Sequence, residues 1–284
     1  MKHLVDLHVH TGHSFDSEER IENHCSRASE LELAAFAVTD HCDVNMQPLS
    51  EAVKNIRASG ADVFRMREEG FPGVLSGVEL GEPLEDLPYA EEILGLLPYD
   101  VVLGSIHNIP GKEDFYFLDC SKGDMNALLK PYFEELIRLA QWGKCDAITH
   151  ITYPLRYIEG KYHRKVELSL YDDLIDELFR TIIEKDLVLE VNSSGLRQEI
   201  GRPLPDEPYL RRYYDLGGRK LSFGSDAHRA ADLAAGIPEC METARRIGSL
   251  IESPGFYPNL TGTENLEIFA KLRGTPRPNA VKNA

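Results

Sequence analysis

Asp6-Leu7-His8-Val9-His10 sets two histidines two residues apart in an apolar, β-branched run. In an extended strand that period puts both imidazoles on one side, where they can bind one ion together. Alone, the pair is as readily two incidental histidines on a surface strand. What tips the balance is that metal-competent residues close later apolar runs too: Asp40 and His41 in Thr39-Asp40-His41, then Glu79, His107, His150, Asn192, and Asp226 and His228 in Ser225-Asp226-Ala227-His228. Carboxylates mixed with imidazoles suit Zn, Mn or Fe(II) better than Mg alone. The cysteines (Cys25, Cys42, Cys120, Cys145, Cys240) are scattered and form no CxxC pair, so reduced thiols are expected rather than disulfides or a thiolate zinc site.

Positioning such residues requires the elements between them. Candidate strands run over Val5–Val9, Ala35–Thr39, Val74–Val78, Val101–Ile106, Ala147–Thr149, Val188–Val191 and Leu221–Gly224. Helical periodicity separates them over Glu18–Leu33, Ser50–Glu69, Met125–Gln141, Leu170–Lys185 and Glu207–Leu216, with a shorter connection around Leu87–Leu97. Leu128, Phe133, Leu136 and Leu139 form a core-facing stripe. Strand–helix alternation implies parallel strands, whose carboxyl ends converge on one face of an α/β barrel. Seven strands predict a distorted TIM-like (β/α)7 barrel.

The chain has 284 residues, 42% hydrophobic and 27% charged, enough for one barrel or two modest domains. A net charge of -16 disfavours a nucleic-acid partner but allows a phosphorylated small molecule, because bound divalent cations invert the local field. No apolar run approaches the roughly 20 residues of a membrane span, and no signal peptide is visible, so a cytoplasmic location is expected. The oligomeric state is left open.

The series HxH, TDH, Glu79, Gly104-Ser105-Ile106-His107, His150 and Ser225-Asp226-Ala227-His228 resembles the polymerase and histidinol phosphatase (PHP) superfamily over about residues 1–247. Asp6-Leu7-His8-Val9-His10-Thr11, Glu190-Val191-Asn192-Ser193-Ser194-Gly195 and Gly224-Ser225-Asp226-Ala227-His228 are similar to its monofunctional histidinol-phosphatases. The resemblance implies two or three divalent ions: one on His8, His10, Glu79 and Asp226, a second on a bridging Glu79, His107 and His150, and a third on His41, His228 and Asp16. His13 competes with Asp16 for that last place. Asp40 is expected to orient a ligand histidine from behind.

Closely spaced divalent ions can activate a water, hold phosphoryl oxygens and neutralise a leaving alkoxide, so phosphomonoester hydrolysis needs no covalent nucleophile. Glu79, Asp226 and His228 are the catalytic candidates. Arg156 and Arg197, in loops after strands, resemble phosphate-binding arginines of that family, with Asn192 beside them and Arg164 and Lys161 as weaker alternatives. The implied reaction is hydrolysis of L-histidinol phosphate to L-histidinol and phosphate, a step of histidine biosynthesis. Its rivals are a nucleotide or oligonucleotide phosphoesterase with the same ligands, an amidohydrolase, and a metal-binding scaffold that has lost catalysis. His3, His24, His163 and Cys42 are read as bystanders.

Beyond Ile247 the character changes. Residues 236–284 carry six lysines or arginines against five acidic residues, unlike the acidic remainder. Arg245-Arg246-Ile247-Gly248-Ser249-Leu250-Ile251-Glu252 and Pro254-Gly255-Phe256-Tyr257-Pro258-Asn259-Leu260-Thr261-Gly262-Thr263-Glu264-Asn265-Leu266 resemble an internal segment of ABC-transporter ATP-binding subunits. No GxxxxGK[ST] loop accompanies it, so ATPase chemistry is not expected. Residues 248–284 therefore read as a foreign segment, joined by fusion or sequence assembly near Ala244–Gly248, with 274–284 expected to be disordered.

Overall fold

A computed structural model describes residues 4–248. The readings made for residues 249–284, and for His3, lie outside the described residues. Seven parallel strands follow the order β1 (Val5–Val9), β2 (Ala35–Val38), β4 (Val74–Gly81), β5 (Val101–Ser105), β6 (Ala147–Ile148), β7 (Val188–Asn192) and β8 (Leu221–Gly224), with the short β3 (His41–Asp43) paired to β4. Where β8 meets β1, Asp226 N–H donates to His8 C=O and His10 N–H to Ala227 C=O, so the sheet all but closes into a barrel at its carboxyl end. This is the expected distorted TIM-like barrel.

Two differences matter for the site. β4 continues to Gly81, so Glu79 projects from within a strand, paired in register with His41 of β3. β3 itself was not foreseen: three residues, two of them His and Asp, give no apolar alternation to read.

The helices α1 (Ile21–Leu31), α2 (Leu49–Glu68), α3 (Leu87–Leu94), α4 (Asn126–Trp142), α5 (Asp172–Glu184), α6 (Glu207–Asp215) and α7 (Ile237–Ile247) lie between and after the strands, with a π-helical turn over Arg156–Lys161 and short 3-10 turns, one over Ser194–Arg197, in the loops. α5 shows why they form: Asp172 and Asp173 complement the dipole of its first turn, while Ile175, Leu178, Phe179 and Ile182 recur at helical spacing and are buried. α7, not foreseen from the sequence, buries Ile237, Cys240, Ala244 and Ile247 and ends at Gly248 with φ 79°, the left-handed conformation that favours glycine.

Along β4 and β5, residues of one parity pass from apolar to chemical. Leu75 and Leu103 belong to a small buried cluster with Leu7, Ala37 and Val188, while Glu79 and His107 lie four residues further along on the same parity. The apolar floor fixes the strands on which the polar rim is mounted. All five cysteines are buried free thiols, as expected, and among the described residues no helix is long and apolar enough to cross a membrane.

Candidate metal centre

Glu79, 1% exposed, stands at the middle of the rim. Its Oε2 lies 3.0 Å from His8 Nε2, 3.4 Å from His10 Nε2 and 3.3 Å from His41 Nδ1, and its Oε1 lies 2.9 Å from His150 Nε2 and 3.2 Å from His107 Nε2. One carboxylate from β4 therefore lies close to five histidines from four chain segments. Asp226 Oδ1 lies 3.4 Å from His10 Nε2 and 3.5 Å from His228 Nδ1. Asp16 Oδ2 lies 2.9 Å from His228 Nε2 and 3.6 Å from His41 Nε2. His13 instead pairs with Asp62 at 2.9 Å, so of the two competitors it is Asp16 that reaches the cluster.

Behind this ring a further layer sets which nitrogen faces inward. Glu190 Oε1 contacts His8 Nδ1 at 2.6 Å, and its other oxygen accepts from His150 N–H at 2.9 Å. Ser14 donates its only hydroxyl proton to Asp40, so its oxygen accepts from His10 Nδ1 at 3.1 Å. Thr149 donates to Gly104 C=O and lies 3.4 Å from His150 Nδ1; His228 Nδ1 lies 3.1 Å from its acceptor, Asp226 C=O. In all four rings Nδ1 faces an acceptor, an arrangement that favours a proton there and an Nε2 lone pair turned toward a cation.

Asp40 departs from its expected place. It contacts no imidazole, but accepts from Thr11 N–H, Thr11 Oγ1, Ser14 Oγ and Ser59 Oγ, acting on His10 only through Ser14. Sequence reasoning assigned no role to Glu190, Asp43, Glu82 or Ser14. Glu190 lay inside a quoted motif, and two-residue periodicity along Glu190-Val191-Asn192 could have exposed it. His24, read as a bystander, is fully buried with Nε2 3.0 Å from His10 C=O.

Backbone strain gathers at the same rim. His150 has φ 23°, Asp226 φ 55° and Glu82 φ 50°, left-handed values that cost non-glycine residues energy. At Gly224 a Cβ would collide with His8 and with Glu190 Oε1, so only glycine lets β8 approach β1 there.

The electrostatics are strongly coupled. Burial alone would raise the Glu79 carboxyl, but the imidazoles of His8, His41 and His107 outweigh it and hold it well below the usual range. Asp226 is likewise held low against burial, by His10, His8 and Arg156. Burial, together with the neighbouring charges of His228 and His41, pushes His10 down, which favours the neutral form a ligand needs.

These residues fit divalent cations. His10 Nε2 is buried without a hydrogen-bond partner among the described residues, a costly state unless a further group joins it. Ligand atoms of His8, His10 and Asp226, of His8, Glu79 and His150, of His10, His41 and His228, and of His41, Asp43 and His107 lie within 4.8 Å of one another in each set.

The ring opens into a cavity of about 450 Å³ whose wall includes Arg156, Tyr153, Tyr157, Asp114, Tyr116, Phe117 and Phe15. Arg156 is largely but not fully buried, donating to Asp226 Oδ2 at 3.0 Å and Ser194 Oγ at 2.7 Å. Arg197 is placed differently: it donates to Ser225 C=O at 2.8 Å and Ala235 C=O at 3.4 Å and is absent from the cavity wall. Asn192 also lies behind the wall, its Nδ2 3.4 Å from Asp226 Oδ2 and its Oδ1 accepting from Ser194. Arg164 donates to Cys120 and Gly123 carbonyls, away from the site.

A probable histidinol-phosphatase of Thermotoga maritima is 26% identical over 247 residues, which are 86% of this chain and 92% of the relative. The crystal structure of histidinol phosphate phosphatase from Lactococcus lactis, complexed with Zn, L-histidinol and phosphate, has the same fold, with a TM-score of 0.72 at 19% identity over 87% of this chain and 95% of that one. A separate stretch toward the C-terminus, 39 residues or 14% of the chain, is 59% identical to the bacitracin transport ATP-binding protein BcrA of Enterococcus faecalis and covers 13% of it, in line with the resemblance read in the tail. Residues 6–194 match the PHP domain, and with that match covering well over half its length, the chain belongs to the PHP domain family.

Proposed function

We propose that the chain is a metal-dependent phosphomonoester hydrolase acting on L-histidinol phosphate, releasing L-histidinol and phosphate. The observation that carries the reading is the placement of Arg156, whose guanidinium sits on the cavity wall while Asp226, one of the clustered carboxylates, holds it by Oδ2. A planar fork beside a cation-binding ring is suited to the oxygens of a phosphoryl group. Two or three divalent ions held by His8, His10, Glu79 and Asp226, by Glu79, His107 and His150, and by Asp16, His41 and His228 would supply Lewis-acid stabilisation and an activated water.

The chain's own residues then bind and orient. Asn192 and Ser194 steady Asp226 and Arg156, and Glu79, Asp226 and His228 are the groups assigned to the reacting end. Arg197 acts at one remove, bracing the Ser225 carbonyl next to Asp226. At the mouth, the exposed rings of Phe15, Tyr116 and Phe117 offer stacking faces and Asp114 a carboxylate, a combination suited to a leaving group with an imidazole and an ammonium. The relatives named as histidinol-phosphatases support the substrate choice.

The test is phosphate release by the purified full chain with added Zn, Mn or Fe, comparing L-histidinol phosphate with a nucleoside monophosphate and an oligonucleotide. Preference for the first by at least about tenfold in kcat/KM is expected, a margin of roughly 1.4 kcal/mol in transition-state binding. Comparable slow rates on all three would remove the histidinol assignment, and release only from the oligonucleotide would move the chain to the nucleic-acid branch of the family.

A further inference from the structure

His8, His10, His150 and His228 each turn Nδ1 toward an acceptor behind them, but His41 and His107 have no such private partner. Both turn Nδ1 toward Asp43: Oδ1 lies 3.4 Å from His41 Nδ1 and Oδ2 lies 3.6 Å from His107 Nδ1. Asp43 is 1% exposed, and its Oδ1 and both Nδ1 atoms make no hydrogen bond among the described residues. Other carboxylates nearby are already engaged. Glu79 Oε2, 3.3 Å from His41 Nδ1, also faces His8 and His10, and Glu82 Oε1, 3.8 Å from His107 Nδ1, accepts from the backbone of His107 and Asn108.

The backbone is shaped for this placement. On β3, His41 and Asp43 are two residues apart and so share a face, and Asp43 is in register with Gly81 of β4. A Cβ at position 81 would run into Asp43 Oδ1 and come within 3.2 Å of His107 Nδ1. The glycine leaves the space that the carboxylate occupies.

We propose that Asp43 is a shared positioning residue that accepts the Nδ1 protons of both His41 and His107. It thereby turns the two Nε2 lone pairs toward the cavity and couples the cation site containing His107 to the one containing His41. This rests on the metal-centre reading above and adds to it a residue outside the ligand set expected from the sequence.

The experiment uses the full chain carrying Asp43→Asn or Gly81→Ala, the latter displacing the carboxylate while keeping its charge. Each protein is loaded with Co(II) or Zn; metal equivalents at saturation, chelator competition, the Co(II) visible spectrum and thermal unfolding are recorded. Both variants should bind as many equivalents as the unaltered chain at saturating metal, lose about 10- to 100-fold in affinity at two sites, and show a changed Co(II) spectrum. Unaltered affinity and spectrum in a folded Asp43→Asn would overturn the proposal. So would loss of a whole equivalent at saturation, which would make Asp43 a ligand. Should Asp43→Asn not fold, Gly81→Ala decides by the same readouts. An unaltered chain that binds no metal would instead sink the reading on which the proposal rests.

Discussion

Glu79 and Glu190 are each 1% exposed, and they grip the same imidazole, His8, from opposite sides, at 3.0 Å and 2.6 Å. Their surroundings differ. Glu79 lines the cavity and faces the Nε2 atoms of four histidines, an arrangement with more lone pairs than protons to share. Glu190 lies off the cavity wall, and its oxygens are taken up by His8 Nδ1, His150 N–H and Asn192 Nδ2. Residue type and burial are therefore equal in the two layers, and what separates them is whether hydrogen bonding within the protein is complete. The inner layer has the donor set a cation would use; the outer one sets which ring nitrogen would meet it.

Glu79→Gln attacks the inner layer directly and should have the largest effect. It removes the charge that the two proposed cation sites would share, and phosphatase activity should fall by at least about 100-fold with metal lost by elemental analysis. Retained metal and activity would collapse the distinction. Glu190→Gln keeps the shape of the outer layer but weakens its hold on His8. Metal affinity should drop by about 10- to 100-fold while excess metal restores most activity, a recovery that Glu79→Gln should not show.

The two arginines sharpen the contrast. Arg156→Lys should reduce kcat/KM about tenfold, because a point charge cannot reproduce the fork. Arg197→Ala should cost about 1 kcal/mol of stability through orphaned carbonyls, with kinetics changed far less; chemical denaturation and steady-state rates separate the two. Equal kinetic damage from both would return Arg197 to the phosphate site.

Smallest of all should be Asp176→Asn, outside both layers. The Arg212 hydrogen bond, helped by the charges of Arg212 and Arg180, holds this Asp176 carboxyl below its ordinary value against the opposing effect of burial. Its contribution is therefore present above the unfolded pKa of about 4 and lost as pH falls through the depressed folded value. The substitution should cost under about 1 kcal/mol at neutral pH, with the gap closing in acid, as urea titrations at two pH values would show.

Most of the candidate ring was legible because strand ends in a parallel barrel need only be counted. His8, His10, Glu79, His107, His150 and Asp226 each stand at or just beyond a run of apolar β-formers, and the structure brings them together with Asp16, His41 and His228. The supporting layer was much less legible. Asp40 shares the Asp-His dipeptide with His41 yet acts through Ser14, and β3 was too short to carry a pattern.

By itself the sequence determined the alternation of strand and helix, the face on which the chemistry gathers and the identity of most candidate ligands, since periodicity and residue type are local properties. Only the tertiary structure decided that Asp16 rather than His13 joins the cluster, that Arg156 faces the cavity while Arg197 braces a carbonyl, and that Glu190 and Asp43 stand behind the imidazoles. Those roles depend on directions and distances between residues as many as 212 positions apart. A carboxylate or guanidinium has the same composition whether it meets a cation, a phosphate or a backbone group, and packing selects among them.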